Sequence, residues 1–475
     1  MHLGIKEKNL FFIICCAGIF LRYYNHAYDD LWYDEIISFW ISNPDLSFLE
    51  TINNNKLIDI NTSMYHFILK YFFSTFGYSV ESGRLFSVLF GILSIFSVGY
   101  LSLLISKDSS FLLSSFLISF NIFLISFSQE MRVYSILFFF SSLFLIFFLL
   151  TIKDSKNFLL ISIYFLISII FISLHPFSLI VFLSCLCFLL LKNFKYFNEY
   201  LYLHLCNALT LIISFLIYFS AFFLISEINS SSDYFWHTNP DLGFYTNFYF
   251  SSFFGSRLMG SIFLIILLTL ILKNYRKFFK LEIETLLVLI IFLSYFLPII
   301  FGYIYRPIIA NRYIIFVLVP VVIFISQSIF NLNNSRLKFF LIFLIVVITF
   351  GNHFTEQTFK QFFQERVVSK PEYNSALKYI NESNHKNYIL KVKNMKNTQA
   401  SKDALNHYIS YLNSKNNLNL EFIADEKKYK NKFLWYICFQ DFNGKNCEID
   451  DLNIEFNTIE TKNFNNIKLK LIEII

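Results

Sequence analysis

Leu31-Trp32-Tyr33-Asp34-Glu35-Ile36-Ile37-Ser38 places two adjacent carboxylates directly after the first apolar stretch of the chain. Charge is costly to hold beside hydrocarbon. The pair therefore marks either a working site at a membrane boundary or a solvated loop with incidental acids. The rest of the sequence weighs between these. The chain has 475 residues, of which 56% are hydrophobic, 20% aromatic and only 15% charged, with 64 Phe. A soluble domain has too little interior to hide that much apolar surface. Apolar stretches recur from about residue 9 to about residue 352, each close to the roughly 20 residues that cross hydrocarbon. The chain reads as a polytopic membrane protein, and its net charge of +6 bears on topology rather than on nucleic-acid binding.

About eleven spans are expected, near residues 9–24, 83–106, 110–128, 131–151, 157–174, 176–191, 203–226, 249–272, 283–303, 308–330 and 337–352. Lys6 and Lys8 precede the first. No small-x-small cleavage site follows it, so it reads as a span and not as a cleaved signal peptide. Met64 to Gly77 is apolar but short and carries His66 and Lys70, which fits a segment lying along the interface. With the N-terminus inside, the lysines fall mostly on inner, shorter loops, and the outer basic residues are mostly arginines at span ends. That is the positive-inside pattern.

The outer side then collects the unusual groups: Asp29, Asp30, Asp34 and Glu35; Asp59 and His66; Arg84; Gln129, Glu130, Arg132 and Tyr134; His175; Glu227, Asp233 and His237; Arg306 and Arg312. Helix-end arginines often only snorkel to headgroups, but carboxylates, histidines and arginines gathered on one face suit a catalytic or binding cavity. Two domains are expected: a membrane domain over 1–352 with a catalytic first outer loop at 25–82, and an outer α/β domain over 353–475. In the latter, Lys370–Glu382 and Ser401–Ser414 read as helices, and Asn387–Val392, Leu418–Ile423 and Lys432–Phe439 as strands. Cys438 and Cys447 are the two cysteines of this outer domain and form a candidate disulfide pair in an oxidising compartment. The other five lie in spans as small buried apolar residues, and no Cys/His spacing resembles a zinc site. The bias toward Asn, Ile, Lys and Phe suggests an AT-rich, bacterial genome.

Five places carry a family resemblance. They are Tyr33-Asp34-Glu35; Asp59-Ile60-Asn61-Thr62-Ser63-Met64-Tyr65; Gly83-Arg84-Leu85-Phe86-Ser87-Val88-Leu89-Phe90-Gly91; Ser128-Gln129-Glu130-Met131-Arg132-Val133-Tyr134-Ser135; and Arg306-Pro307 with Arg312-Tyr313, running on to Pro320. In order and sidedness the chain resembles the polytopic glycosyltransferases of the GT-C fold, in the group of protein O-mannosyltransferases, the lipid A aminoarabinose transferase and their bacterial relatives. Thr62-Ser63 stands where that family usually has prolines. The resemblance implies an all-α membrane domain with a small C-terminal α/β domain outside. It also implies a multi-pass protein of the bacterial inner membrane, with its N-terminus cytoplasmic. The implied activity takes a sugar from a polyprenyl-phosphate donor to a glycan, lipid or protein acceptor on the outer face, by inversion.

In that reading Asp34 is the general base, and Glu35 supports it or binds the sugar. Arg84, Arg132, Arg306 and Arg312 stabilise the departing phosphate. Asp59, Tyr65, Glu130, Tyr134 and His175 contact sugar or acceptor. No cofactor is assigned, and a divalent metal at Asp34, Glu35 and a histidine stays open. A surface-polysaccharide polymerase or ligase, and a flippase for polyprenyl-linked sugars, are the alternatives. The long outer loop comes first in the chain rather than late, and no internal repeat is visible, which weigh against them.

Overall fold

The computed structural model describes residues 4–58, 62–106, 108–193, 199–228, 251–278, 280–305, 308–355, 357–383, 388–393, 399–418, 420–422, 433–439 and 455–475. The chain groups into two compact units. The first comprises residues Met1–Tyr24, Ile60–Tyr65 and Arg84–Glu365, and the second Asn25–Asp59, His66–Gly83 and Arg366–Ile475.

Among the described residues of the first unit, the regular elements are helices. Its main helices are α1 (Ile5–Tyr23), α5 (Val80–Ser106), α6 (Ser110–Ser119), α7 (Ile122–Ser128), α8 (Tyr134–Lys153), α9 (Phe158–Leu174), α10 (Ser178–Asn193), α11 (Leu201–Ile228), α12 (Arg257–Lys273), α13 (Ile283–Ile304), α14 (Leu318–Phe330, entered through a tighter turn at Asn311–Val317) and α15 (Ser335–Thr355). Among the described residues, six helices are long and apolar enough to cross a membrane, or seven when α6 and α7 count as one bent span. The other expected spans are also helices. However, α9, α10 and α12 have only 16 or 17 residues, and α1 carries Lys6, Glu7, Lys8 and Arg22.

Small residues bring these helices close, as suits packing where lipid gives no hydrophobic drive. Serine hydroxyls pair across helices at Ser97–Ser142 (2.5 Å) and Ser102–Ser114 (3.0 Å). A Cβ on Gly18 would stand 2.8 Å from the Ser119 Cβ, so only glycine lets α1 lie against α6 there.

The stretch expected as one span at 110–128 is broken, with α6 and α7 bent by 55°. A break frees backbone carbonyls that hydrocarbon cannot satisfy. Here the fully buried Arg22 donates to Ile118 O (2.7 Å) and Ser119 O (2.9 Å). His353 Nε2 donates to Phe120 O (2.6 Å). Asn121 then starts α7, its Oδ1 accepting from Leu124 N (2.9 Å) while its amide donates to Phe253 O (2.8 Å).

The second unit joins the first long loop to the C-terminal sheet. The loop forms α2 (Tyr33–Ile41), α3 (Phe48–Ile58) and α4 (Met64–Phe76). The C-terminal part adds α16 (Tyr373–Glu382), α17 (Gln399–Lys415) and five strands, β1 (Tyr388–Lys393), β2 (Glu421–Phe422), β3 (Phe433–Phe439), β4 (Phe456–Phe464) and β5 (Ile467–Ile474). The sheet order is β2-β1-β3-β5-β4. β1 runs parallel to β2 and β3, and β5 is antiparallel to β3 and β4.

α16 starts after Pro371, not at Lys370, because the residue before a proline is turned away from helix. The β4–β5 hairpin was not foreseen. Its signals are the Asn465-Asn466 turn, with Asn466 at φ 53°, and the buried alternation Ile467, Leu469, Leu471. Among the described residues five cysteines are free and Cys438 is disulfide-bonded. Cys447 lies outside the described residues.

Candidate active site

In the second unit, Asp34 and Glu35 open α2, at its second and third positions. Helix N-termini carry unpaired N–H groups and favour negative charge. The Glu35 carboxylate reaches back toward the Trp32 amide (3.5 Å) and forms an ion pair with Lys370 Nζ at 2.7 Å, with no solvent exposure of its side chain. Asp34 is half-buried, and its carbonyl accepts from Ser38 Oγ (3.1 Å). Burial pushes the neighbouring Tyr33 phenol up to about 12; its hydrogen bond to Ser401 opposes this and the Asp34 charge adds to it.

The acids just upstream are engaged as well. Asp29 accepts from Arg366 Nη2 (3.0 Å), Ser369 N (3.1 Å) and Ser369 Oγ (3.1 Å). Asp30 accepts from Asn374 N (2.7 Å) in the first turn of α16, a cap supplied by a distant part of the chain. The Leu31 amide donates to Tyr408 OH on α17 (3.1 Å). Asp29, Asp30, Leu31, Tyr33 and Glu35 are thus each tied to the C-terminal part of this unit.

In the first unit, three residues singled out in the sequence, His175, Tyr134 and Arg312, lie around the ring of Tyr313, and a fourth, Arg132, stands over Tyr134. His175, the C-cap of α9, lies 5.1 Å from it between ring centroids, and Tyr134, the first residue of α8, lies 6.4 Å away. The Arg312 guanidinium stands 5.6 Å over the Tyr313 ring, and Arg132 stands 5.9 Å over Tyr134. A cation held on a ring face keeps a defined position while a guanidinium edge is shaped to fork onto a phosphate.

The supports of this cluster are visible. Gln129 donates to the carbonyls of Leu21 (3.1 Å), Arg22 (3.2 Å) and Tyr24 (3.1 Å), closing the end of α1. A tight turn follows, with Arg132 N donating to Glu130 O (2.8 Å). Glu130 and Arg132 are half-buried there. Thr62 Oγ1 donates to Ser173 O, two residues before His175. Tyr65 packs edge-on against Phe86 (6.1 Å), and the buried Arg84 lies two residues before Phe86. Ser135 Oγ donates to Ser87 O (2.7 Å), tying this part of α5 to the first turn of α8. Asp59, Arg306, Asp233 and His237 lie outside the described residues. Among the described residues, no group of three or more His, Cys, Asp or Glu is placed to hold a metal ion.

No protein-family model matches the chain, and no curated protein matches it. Solved structures do. ArnT from Cupriavidus metallidurans bound to undecaprenyl phosphate superposes with a TM-score of 0.57 at 11% identity, over 99% of this chain and 98% of that one. The apo state of the same protein gives 0.56 at 11% identity, over 97% of each chain. The chain has a GT-C fold. The oligosaccharyltransferase AglB from Archaeoglobus fulgidus, in complex with an inhibitory peptide and a dolichol-phosphate, shares it at a TM-score of 0.53 and 10% identity, over 92% of this chain and 70% of that one. Within this GT-C fold, sequence reasoning missed Tyr313 as a meeting point, although the residue sits in a quoted motif. It also missed Arg366, Ser369 and Lys370, which lie in a Lys- and Asn-rich tail with no local pattern to mark them.

Proposed function

We propose that this protein is a membrane glycosyltransferase that moves a sugar from a polyprenyl-phosphate donor to an acceptor hydroxyl on the outer face of the membrane. The observation that carries this reading is the pair of guanidiniums, Arg132 and Arg312, standing on Tyr134 and Tyr313 beside His175. They do so in a GT-C fold matched over its full length by a protein seen with undecaprenyl phosphate.

The acceptor oxygen attacks the anomeric carbon, the bond from that carbon to the phosphate oxygen breaks, and the configuration inverts. Asp34 takes the acceptor proton. The electron pair goes to the phosphate oxygen, and Arg84, Arg132, Arg306 and Arg312 stabilise its charge. Asp59, Tyr65, Glu130, Tyr134 and His175 contact sugar or acceptor. Glu35, already bound to Lys370, supports the turn that bears Asp34. The N-terminus is cytoplasmic and the C-terminal domain stands outside a bacterial inner membrane. The likeness to an oligosaccharyltransferase favours lipid-linked oligosaccharide as the second donor class to test.

The test offers the protein in nanodiscs a panel of polyprenyl-phosphate sugars and lipid-linked oligosaccharides, with Asp34→Asn in parallel. Transfer by the wild type and none by the variant supports the reading. Near-normal turnover by Asp34→Asn refutes the base.

A further inference from the structure

The segment leading into α16 engages the acidic loop three times within nine residues of sequence. Arg366 and Ser369 hold Asp29, Lys370 holds Glu35, and the Asn374 amide caps on Asp30. Two of these contacts are ion pairs to carboxylates with almost no exposure, 3% for the Asp29 side chain and none for Glu35, while Lys370 itself is 16% exposed. A buried carboxylate stripped of its cation is strongly unfavourable, so Glu35 stays where Lys370 is. Glu35 is the third residue of α2 and its carboxylate also turns back on the Trp32 amide. The first turn of that helix is therefore fixed from both sides, and Asp34 is the residue inside it. Catalytic groups lose about a hundredfold in rate when displaced by about an ångström.

We propose that Lys370 is a positioning residue for Asp34, and that the C-terminal domain holds the catalytic loop in working shape instead of serving as passive cover. The proposal rests on Asp34 being the base. Its test compares Lys370→Arg, which keeps charge and donors, with Lys370→Gln, which keeps a donor but no charge. Both are made in the full chain in nanodiscs. Transfer kinetics are measured beside amide hydrogen exchange over residues 33–41, which needs no turnover.

In Lys370→Gln, kcat falls about ten- to a hundredfold, the donor KM stays within about twofold, and exchange over 33–41 quickens. Lys370→Arg keeps most of kcat. A wild-type kcat in Lys370→Gln overturns the proposal, as does an equal loss in both variants. If the wild type transfers no sugar from any donor, the base assignment fails by itself. The exchange data then decide the clamp: faster in Lys370→Gln supports it, unchanged overturns it.

Discussion

Asp34 and Glu35 are adjacent in sequence and differ in burial. Glu35 is fully buried, paired with Lys370 and turned onto its own helix end, whereas Asp34 is half-buried. The two conservative amides should separate these roles. Asp34→Asn should cut transfer by about 10²- to 10⁴-fold, the usual contribution of a general base, while leaving the thermal midpoint near that of the wild type. Glu35→Gln should lower stability by about 2 kcal/mol, because it removes the charge from a hydrogen bond between a buried carboxylate and the half-buried Lys370 ammonium. Thermal unfolding in nanodiscs beside the transfer assay checks both. Sequence reasoning found the pair, because two carboxylates after an apolar span stand out. It left Glu35's role open between supporting Asp34 and binding sugar, because Lys370 is 335 residues away.

At the scale of elements, the broken span carries a further prediction. Arg22 serves the carbonyls of Ile118 and Ser119 at the end of α6 and Gly18 O in its own helix. Arg22→Met keeps the bulk and removes these donors. It should destabilise the first unit by about 3 kcal/mol or more, since several buried carbonyls are orphaned at once. A thermal midpoint within a degree of wild type would contradict this account.

A second prediction concerns α17. His407 is hydrogen-bonded to Tyr78 (2.8 Å), which also donates to Phe39 O (2.8 Å), and its ring lies 6.0 Å from that of Phe39. Burial holds its pKa below the ordinary histidine value, with the Asp45 charge opposing. The unfolded chain then binds the proton more readily than the folded one, so stability is fully present above an unfolded pKa of about 6.5 and declines as pH falls below it. Melting curves between pH 8 and 5 (roughly the span in which histidine titrates) should show this decline, and His407→Gln should flatten it.

For the whole molecule, the second unit is assembled from parts far apart in the chain: the loop 25–59, the stretch 66–83 and the tail from 366. A tail that fastens the acidic loop gives the C-terminal domain a task in any function that uses Asp34. Its covalent state is checkable. With Cys15, Cys16, Cys185, Cys187 and Cys206 free and Cys438 disulfide-bonded among the described residues, thiol titration of the denatured, unreduced protein should give five groups, and seven after reduction. Seven before reduction would exclude the disulfide.

The sequence by itself determined the helical membrane part, the places of its helices and the mixed C-terminal domain. These follow from local properties: an apolar run long enough to cross hydrocarbon, or alternation suited to a sheet. It also marked Arg132, Tyr134, His175 and Arg312, because charged and aromatic residues at span ends are conspicuous. Only the tertiary structure decided that Tyr134 and His175 meet at Tyr313, that residues 110–128 break under the care of Arg22 and His353, and that Glu35 belongs to Lys370. Each of those outcomes depends on a partner more than 90 residues away in the chain. A hydrogen bond or ion pair of that kind leaves no periodicity or spacing in the chain from which it can be read.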